Sequence, residues 1–150
     1  MTQIREQIHE QINDILNKNE DAIKGFEMAS EKATKPAIIN YFKEKAKNRK
    51  QFNNEIIDEM NTSYSDFEYE GSTAGTIHRT WMNVKSFFSG DSNEAMLEEA
   101  IRGDKAAVEE YKEAIDSLEI SMTLKTLLLN QVKQIQMDIK QSEAFEENEY

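Results

Sequence analysis

Residues 8–36 read IHEQINDILNKNEDAIKGFEMASEKATKP, and the spacing within them decides the fold. Ile8, Ile12, Ile15, Asn19, Ala22, Phe26, Ala29 and Ala33 recur in steps of four and three. That rhythm puts them on one stripe of an α-helix, the stripe that faces partner helices in a bundle. Lys35-Pro36 ends the run, because proline restricts the residue before it and suits the first turn of a new helix. A tight turn between two antiparallel helices follows.

The same rhythm returns in Phe42, Ala46, Arg49, Asn53, Ile56 and Met60, with Phe52 and Ile57 widening the face. It is lost from Asn61, so residues 61–93 read as a long crossover. Inside this stretch Ile77, Trp81, Val84 and Phe88 repeat at helical spacing after a Ser72 or Thr73 cap, predicting a short amphipathic helix laid across the bundle. Leu97, Ile101, Asp104, Val108, Tyr111, Ile115 and Leu118 form a third seam, with Ser92 and Asn93 as caps. Leu124, Leu128, Gln131, Ile135 and Asp138 form one line of a fourth, beside Met122, Leu129, Val132 and Ile139. The acidic residues 146–150 are expected to fray. Two tight hairpins joined by one long connection let the second and third helices run parallel. Residues 1–150 are therefore expected to be one all-α domain, a ferritin-like four-helix bundle with one long crossover carrying a short extra helix.

Composition narrows the function classes. The chain has 150 residues, one Pro, five Gly and no Cys. Disulfides, thiolate nucleophiles and cysteine-based metal sites are excluded together. A net charge of −11, with lysines interleaved among acids, argues against nucleic acid as a partner. The N-terminus has no apolar leader, and no stretch approaches the ~20 apolar residues of a membrane span. A cytoplasmic protein is expected.

Each seam is broken near its middle by a polar residue. Asn19 and Arg49 are similarly distant from the turn near Lys35, and folding about residue 119 sets Asp104 opposite Gln134 with Gln131 a turn away. A buried polar layer of Asn19, Arg49, Asn53, Asp104 and Gln131 or Gln134 is predicted, with Asp104 as the partner that a buried Arg49 demands. Ferritin-like bundles hold two irons at such a height, using one Glu on each of two helices and Glu-x-x-His on the others. Helix two instead reads Arg49-Lys50-Gln51-Phe52, and helix four has no His.

Other candidates are weaker. Glu6 and His9 form an isolated Glu-x-x-His near a helix start. Glu98-Glu99 and Glu109-Glu110 have spacings typical of a solvated face, and Tyr41, Tyr64, Tyr69 and Tyr111 read as packing residues. With only two His, neither beside a recognisable nucleophile, no catalytic triad can be assembled. The crossover stretch GSTAGTIHRTW, residues 71–81, crowds His78, Arg79 and Trp81 into one turn and helix. Its Gly71-x-x-x-Gly75 lacks the flanking strand and Lys of a phosphate loop. Gly103 costs about 1 kcal/mol relative to Ala inside a helix, and close approach of Trp81 would explain it.

Gly25-Phe26, Gly71-Ser72 with Gly75, His78-Arg79-x-Trp81, and Leu97-Glu98-Glu99-x-x-Arg102-Gly103-Asp104 followed by Tyr111 carry a family resemblance. The chain resembles, over nearly its whole length, a bacterial ferritin-like four-helix-bundle family catalogued as domain of unknown function 2383. The resemblance implies the same bundle and brings no established substrate or reaction. The family often has Cys where this chain has Ala100, and commonly a last-helix His where this chain reads Gln-Met-Asp-Ile. Both departures point away from metal or redox chemistry.

The functional expectation is a non-catalytic bundle acting as a binding or stress-associated module, with no cofactor and no di-iron site. Its partner would be a protein or a small molecule, and homodimerisation fits as well. The alternative is a divergent carboxylate-bridged iron or manganese oxidoreductase using acids such as Glu20, Glu27, Glu55, Glu99 and Asp104.

Overall fold

The computed structural model describes residues 2–64, 66–69, 92–117 and 119–149. The described residues are all-α and form four helices, α1 (Thr2–Lys32), α2 (Pro36–Ser63), α3 (Asn93–Ser117) and α4 (Met122–Glu149). None of the four is long and apolar enough to cross a membrane.

Local chemistry sets the helix starts. Pro36 occupies the first turn of α2, where its missing N–H costs no helical bond. Ser92 Oγ accepts from Ala95 N at 3.0 Å at the start of α3, and Ser121 Oγ accepts from Leu124 N at 3.2 Å at the start of α4. Asn93 ties the α1–α2 turn to α3, accepting from Thr34 N and donating to Thr34 Oγ1, both at 3.1 Å. Two ends run further than the sequence pattern predicts. α2 continues through Asn61 and Thr62 to Ser63, with Thr62 Oγ1 donating to Asp58 O at 2.9 Å. α4 stays helical through the acidic stretch to Glu149, and Phe145 anchors that end on Tyr41, ring centroids 5.2 Å apart.

α1 packs on α2 and α3 on α4, and the two hairpins join through α1 against α3 and α2 against α4. The buried side chains fall into two apolar groups. One joins Ile8, Ile12 and Ile15 to Ile56 and Met60, Tyr111 and Ile115, and Leu124 and Leu128. The other joins Phe26 and Ala29 to Ile38 and Phe42, and Met96 and Leu97, with Phe145 against it. The groups set the helix directions: the start of α2 and the start of α3 share one end of the bundle, so these two helices run parallel. Beyond α2, Phe67 is buried in the first group, and Arg5 donates to Asp66 at 3.4 Å.

Candidate functional site

Between the two apolar groups lie the buried polar residues Asn19, Lys45, Arg49, Asn53, Asp104, Gln131 and Asp138. They sort into two neighbouring layers.

The first is ionic. Arg49 Nη2 donates to Asp104 Oδ1 at 2.6 Å, and Lys45 Nζ donates to Asp104 Oδ2 at 2.5 Å. Lys45 Nζ also reaches Asp138 Oδ2 at 3.4 Å, while Gln134 Nε2 donates to Asp138 Oδ1 at 3.1 Å. Every oxygen of the two carboxylates thus accepts from a donor, and two cations balance two anions. α1 contributes the Phe26 ring, 4.5 Å from Lys45 Nζ and 5.5 Å from Arg49 Cζ, which solvates the cations through its π face. Tyr41 OH closes the layer, donating to Asp138 O at 2.7 Å beside the Ser142 hydroxyl at 2.5 Å. Burial drives the Tyr41 phenol far above its ordinary value, with Asp104 and Asp138 adding to the rise and the Ser142 hydrogen bond opposing it.

The second layer is a ring of amides and a phenol, with the Glu20 and Glu55 carboxylates accepting at its margin. Asn19 Nδ2 donates to Asn53 Oδ1 at 2.9 Å and to Tyr111 OH at 3.0 Å. Tyr111 OH donates to Gln131 Oε1 at 2.7 Å, and Gln131 Nε2 returns to α2 through Phe52 O and Glu55 Oε1, both at 3.2 Å. Asn53 Nδ2 donates to Leu16 O at 3.1 Å and Glu20 Oε1 at 3.2 Å. The belt visits α1, α3, α4 and α2 in turn and satisfies each buried amide. Burial pushes the Tyr111 phenol up to about 12; Glu55 adds to the rise, while the Asn19 hydrogen bond and the Arg49 charge oppose it.

The registers differ by a few residues from simple folding about residues 35 and 119. Asn19 lies level with Asn53, so Arg49 sits one turn away. Asp104 shares Lys45 with Asp138, while Gln134 supports Asp138. The Tyr111–Gln131 hydrogen bond puts the centre of that hairpin near residue 121. Lys45, Asp138, Tyr41 and Ser142 escape a reading by residue type, because a lone Lys or Ser on a helix reads as solvated. Spacing held the signal: Lys45 continues Ile38 and Phe42 toward Arg49, Phe52 and Ile56 in steps of four and three.

The helix-three motif divides. Asp104 is in the ionic layer and Gly103 is half-buried, but the half-buried Glu99 pairs with the exposed Arg102 at 3.3 Å. Glu98 joins Glu94 and Glu146 in an acidic group whose nearest oxygens lie within 4.8 Å of one another. Burial raises the Glu146 carboxyl, and the charges of Glu98, Glu94 and Glu143 add to it. Gly71, Ser72, Gly75, His78, Arg79 and Trp81 lie outside the described residues, and so does any contact between Trp81 and Gly103. His9 is half-buried between the edges of Tyr64 and Phe67, 3.8 Å from Asp66 Oδ1. Tyr69 OH donates to Asn17 Oδ1 at 3.2 Å, its phenol pushed up to about 12 by burial and by Glu20 and Asp21.

A di-iron site needs convergent carboxylates with free oxygens and imidazoles. At this height α2 offers Lys45, Arg49, Phe52 and Asn53, and α4 offers Gln131, Gln134 and Asp138. Two buried cations repel a dication, and the oxygens of Asp104 and Asp138 are already engaged, so these residues do not fit the group. Beside the belt, a cleft of about 230 Å³ opens between α2 and α4, lined by Asn48, Gln51, Phe52, Glu55, Asn130, Gln131 and Gln134.

No curated protein and no solved structure matches the chain. A family model does match, over residues 7–117, a span that takes in α1, α2, the connection and α3 and stops short of Gln131, Gln134 and Asp138. The chain belongs to the family described as a domain of unknown function (DUF2383).

Proposed function

We propose that this protein is a non-catalytic ferritin-like bundle, a binding or stress-associated module in which an internal ion cluster stands where carboxylate bundles hold metal. The observation that carries the reading is the complete engagement of Asp104 and Asp138 by Lys45, Arg49 and Gln134. An ammonium group between two carboxylates does the charge balancing that iron does elsewhere, without an open coordination position. The parallel course of α2 and α3 supports the ferritin-like topology, since a single crossover gives that arrangement. The amide-lined cleft supports binding of a small polar ligand, because its walls offer both donors and acceptors around the Phe52 floor.

The rival is a carboxylate iron or manganese oxidoreductase, but the acids it would use are dispersed. Glu20 accepts from Asn53, Glu55 from Gln131, Glu27 from Lys50 and Glu99 from Arg102. Elemental analysis of the purified protein, followed by anaerobic ferrous titration and admission of oxygen, separates the two readings. The expected result is no stoichiometric metal and no oxygen-dependent absorbance. Two irons per chain with an oxo-bridge band would overturn the proposal.

A further inference from the structure

Four large apolar side chains are exposed among the described residues, and three of them, Met122, Leu129 and Met137, are on α4. Successive separations of seven and eight residues put them on one outward line, opposite the buried Leu124, Leu128, Gln131 and Ile135. The line is also where the acidity of the chain lapses. From Ile120 to Met137 there is no Asp or Glu, although the chain carries 29 of them. The exposed charges along it are Lys125, Lys133 and Lys140. Where α3 turns into α4, beside the Met122 end, Asp116 and Glu119 are exposed.

We infer that the outward face of α4 is the seat of a homodimer, two copies pairing antiparallel about a two-fold axis near Leu129 and Asn130. A two-fold contact must be self-complementary, and this strip is. Antiparallel pairing lays Met122 on Met137 of the other copy and buries Leu129 at the axis. It carries Lys140 to the α3–α4 turn of the other copy, where Glu119 waits, and sets Lys133 against Thr126. A protein of net charge −11 resists self-association on most of its surface. The α4 strip from Ile120 to Met137 carries no acid, so two copies pairing along it do not stack acid on acid. A face of about 27 Å and one helix wide sits at the low end of specific interfaces, so the dimer is weak and forms as concentration rises. This inference stands apart from the non-catalytic reading, and neither needs the other.

The chain has no cysteine, which makes the test clean. Sedimentation of the wild type from low micromolar to near-millimolar concentration is expected to show monomer giving way to dimer. Leu129→Glu should weaken association about tenfold or more, because it buries charge at the centre of the contact. The double variant Met122→Cys/Met137→Cys, oxidised at a concentration where dimer forms, should give crosslinked dimer with peptides 122 and 137 joined between chains. Met122→Cys alone should not crosslink with itself. A wild type that stays monomeric throughout, or a dimer that Leu129→Glu leaves intact, overturns the proposal. Crosslinking of Met122→Cys to itself would mean parallel pairing and would overturn it too. Unchanged circular dichroism and melting of each variant confirm that surface association, and not folding, is being read.

Discussion

The ionic cluster and the amide belt occupy neighbouring turns of one bundle, with Arg49 and Asn53 four residues apart on α2, yet they are built on different principles. The cluster draws its charged groups from α2, α3 and α4 and takes only an aromatic face from α1. Its charges sum to zero, and each oxygen of the two acids has a donor. The belt uses no charge in its closed part and visits all four helices through single hydrogen bonds. Charge in a dry core has to be cancelled locally, so a cluster is compact. Amides and phenols need only partners, so a belt can be stretched around the whole section. The cluster should therefore dominate the cost of single substitutions, and the belt should dominate the register between hairpins.

The largest effect tests the cluster directly. Asp104→Ala strands Lys45 and Arg49 with Asp138 as the remaining acid, and should cost about 3–5 kcal/mol in urea unfolding or prevent folding at ambient temperature. Arg49→Ala should cost less, about 2–3 kcal/mol, because Lys45 still neutralises Asp104. If both substitutions cost under about 1 kcal/mol, the core at this height is wet and the contrast with the belt disappears. Replacing Lys45, Arg49, Asp104 and Asp138 together by Met and Leu should be neutral or stabilising by about 1–4 kcal/mol. A large loss from the fourfold change would mean that the ions contribute net stability, which the desolvation argument denies.

The belt comes next. Tyr111→Phe removes the link between Asn19 and Gln131 and should cost about 1–3 kcal/mol. It also changes the alkaline limb. The Tyr111 phenol is raised to about 12 in the folded chain, above the ~10 of an unfolded tyrosine. A raised value means that the folded state holds the proton more tightly, so this stability is fully present below pH ~10 and fades as pH climbs toward about 12. Urea melts across that window should fall more gently in Tyr111→Phe than in the wild type. Some slope remains, because the Tyr41 phenol is raised by burial as well.

The bundle itself was legible because four-three spacing is a direct imprint of helix geometry, and Asn19, Arg49, Asn53, Asp104 and Gln131 stand out as polar members of apolar lines. All five are buried. Their partners were harder to read. Lys45 and Asp138 hold the right positions, but residue type argues for solvent until a counter-charge is known to face them. That counter-charge comes from 59 residues away for the Lys45–Asp104 pair and 93 for Lys45–Asp138. Tyr111 reads as an apolar filler, and its hydroxyl matters only because Asn19 and Gln131 converge on it. Pairings across a bundle depend on turn lengths, and an uncertainty of two residues in a turn is enough to exchange Gln134 for Asp138 opposite Asp104.

The smallest expected effect separates geometry from environment. Lys50 lies one residue beyond Arg49 on α2 and donates to Glu27 Oε2 at 3.0 Å, an ammonium–carboxylate pair of the same chemistry as Lys45 with Asp104. Its side chains are 57% and 49% exposed, against 1% for both members of the buried pair. Water screens the exposed pair and rescues either partner when the other is removed. Lys50→Ala should therefore cost no more than about 1 kcal/mol, shrinking further as salt is added. Lys45→Ala leaves Asp138 without its cation and Asp104 with Arg49 alone, and its cost should be several times larger and insensitive to salt. Equal costs for the two lysines would mean that distance, and not burial, sets the worth of an ion pair in this bundle. The distinction between cluster and surface would then have to be abandoned, and with it the reason for reading the Lys45 ammonium as a stand-in for a metal ion.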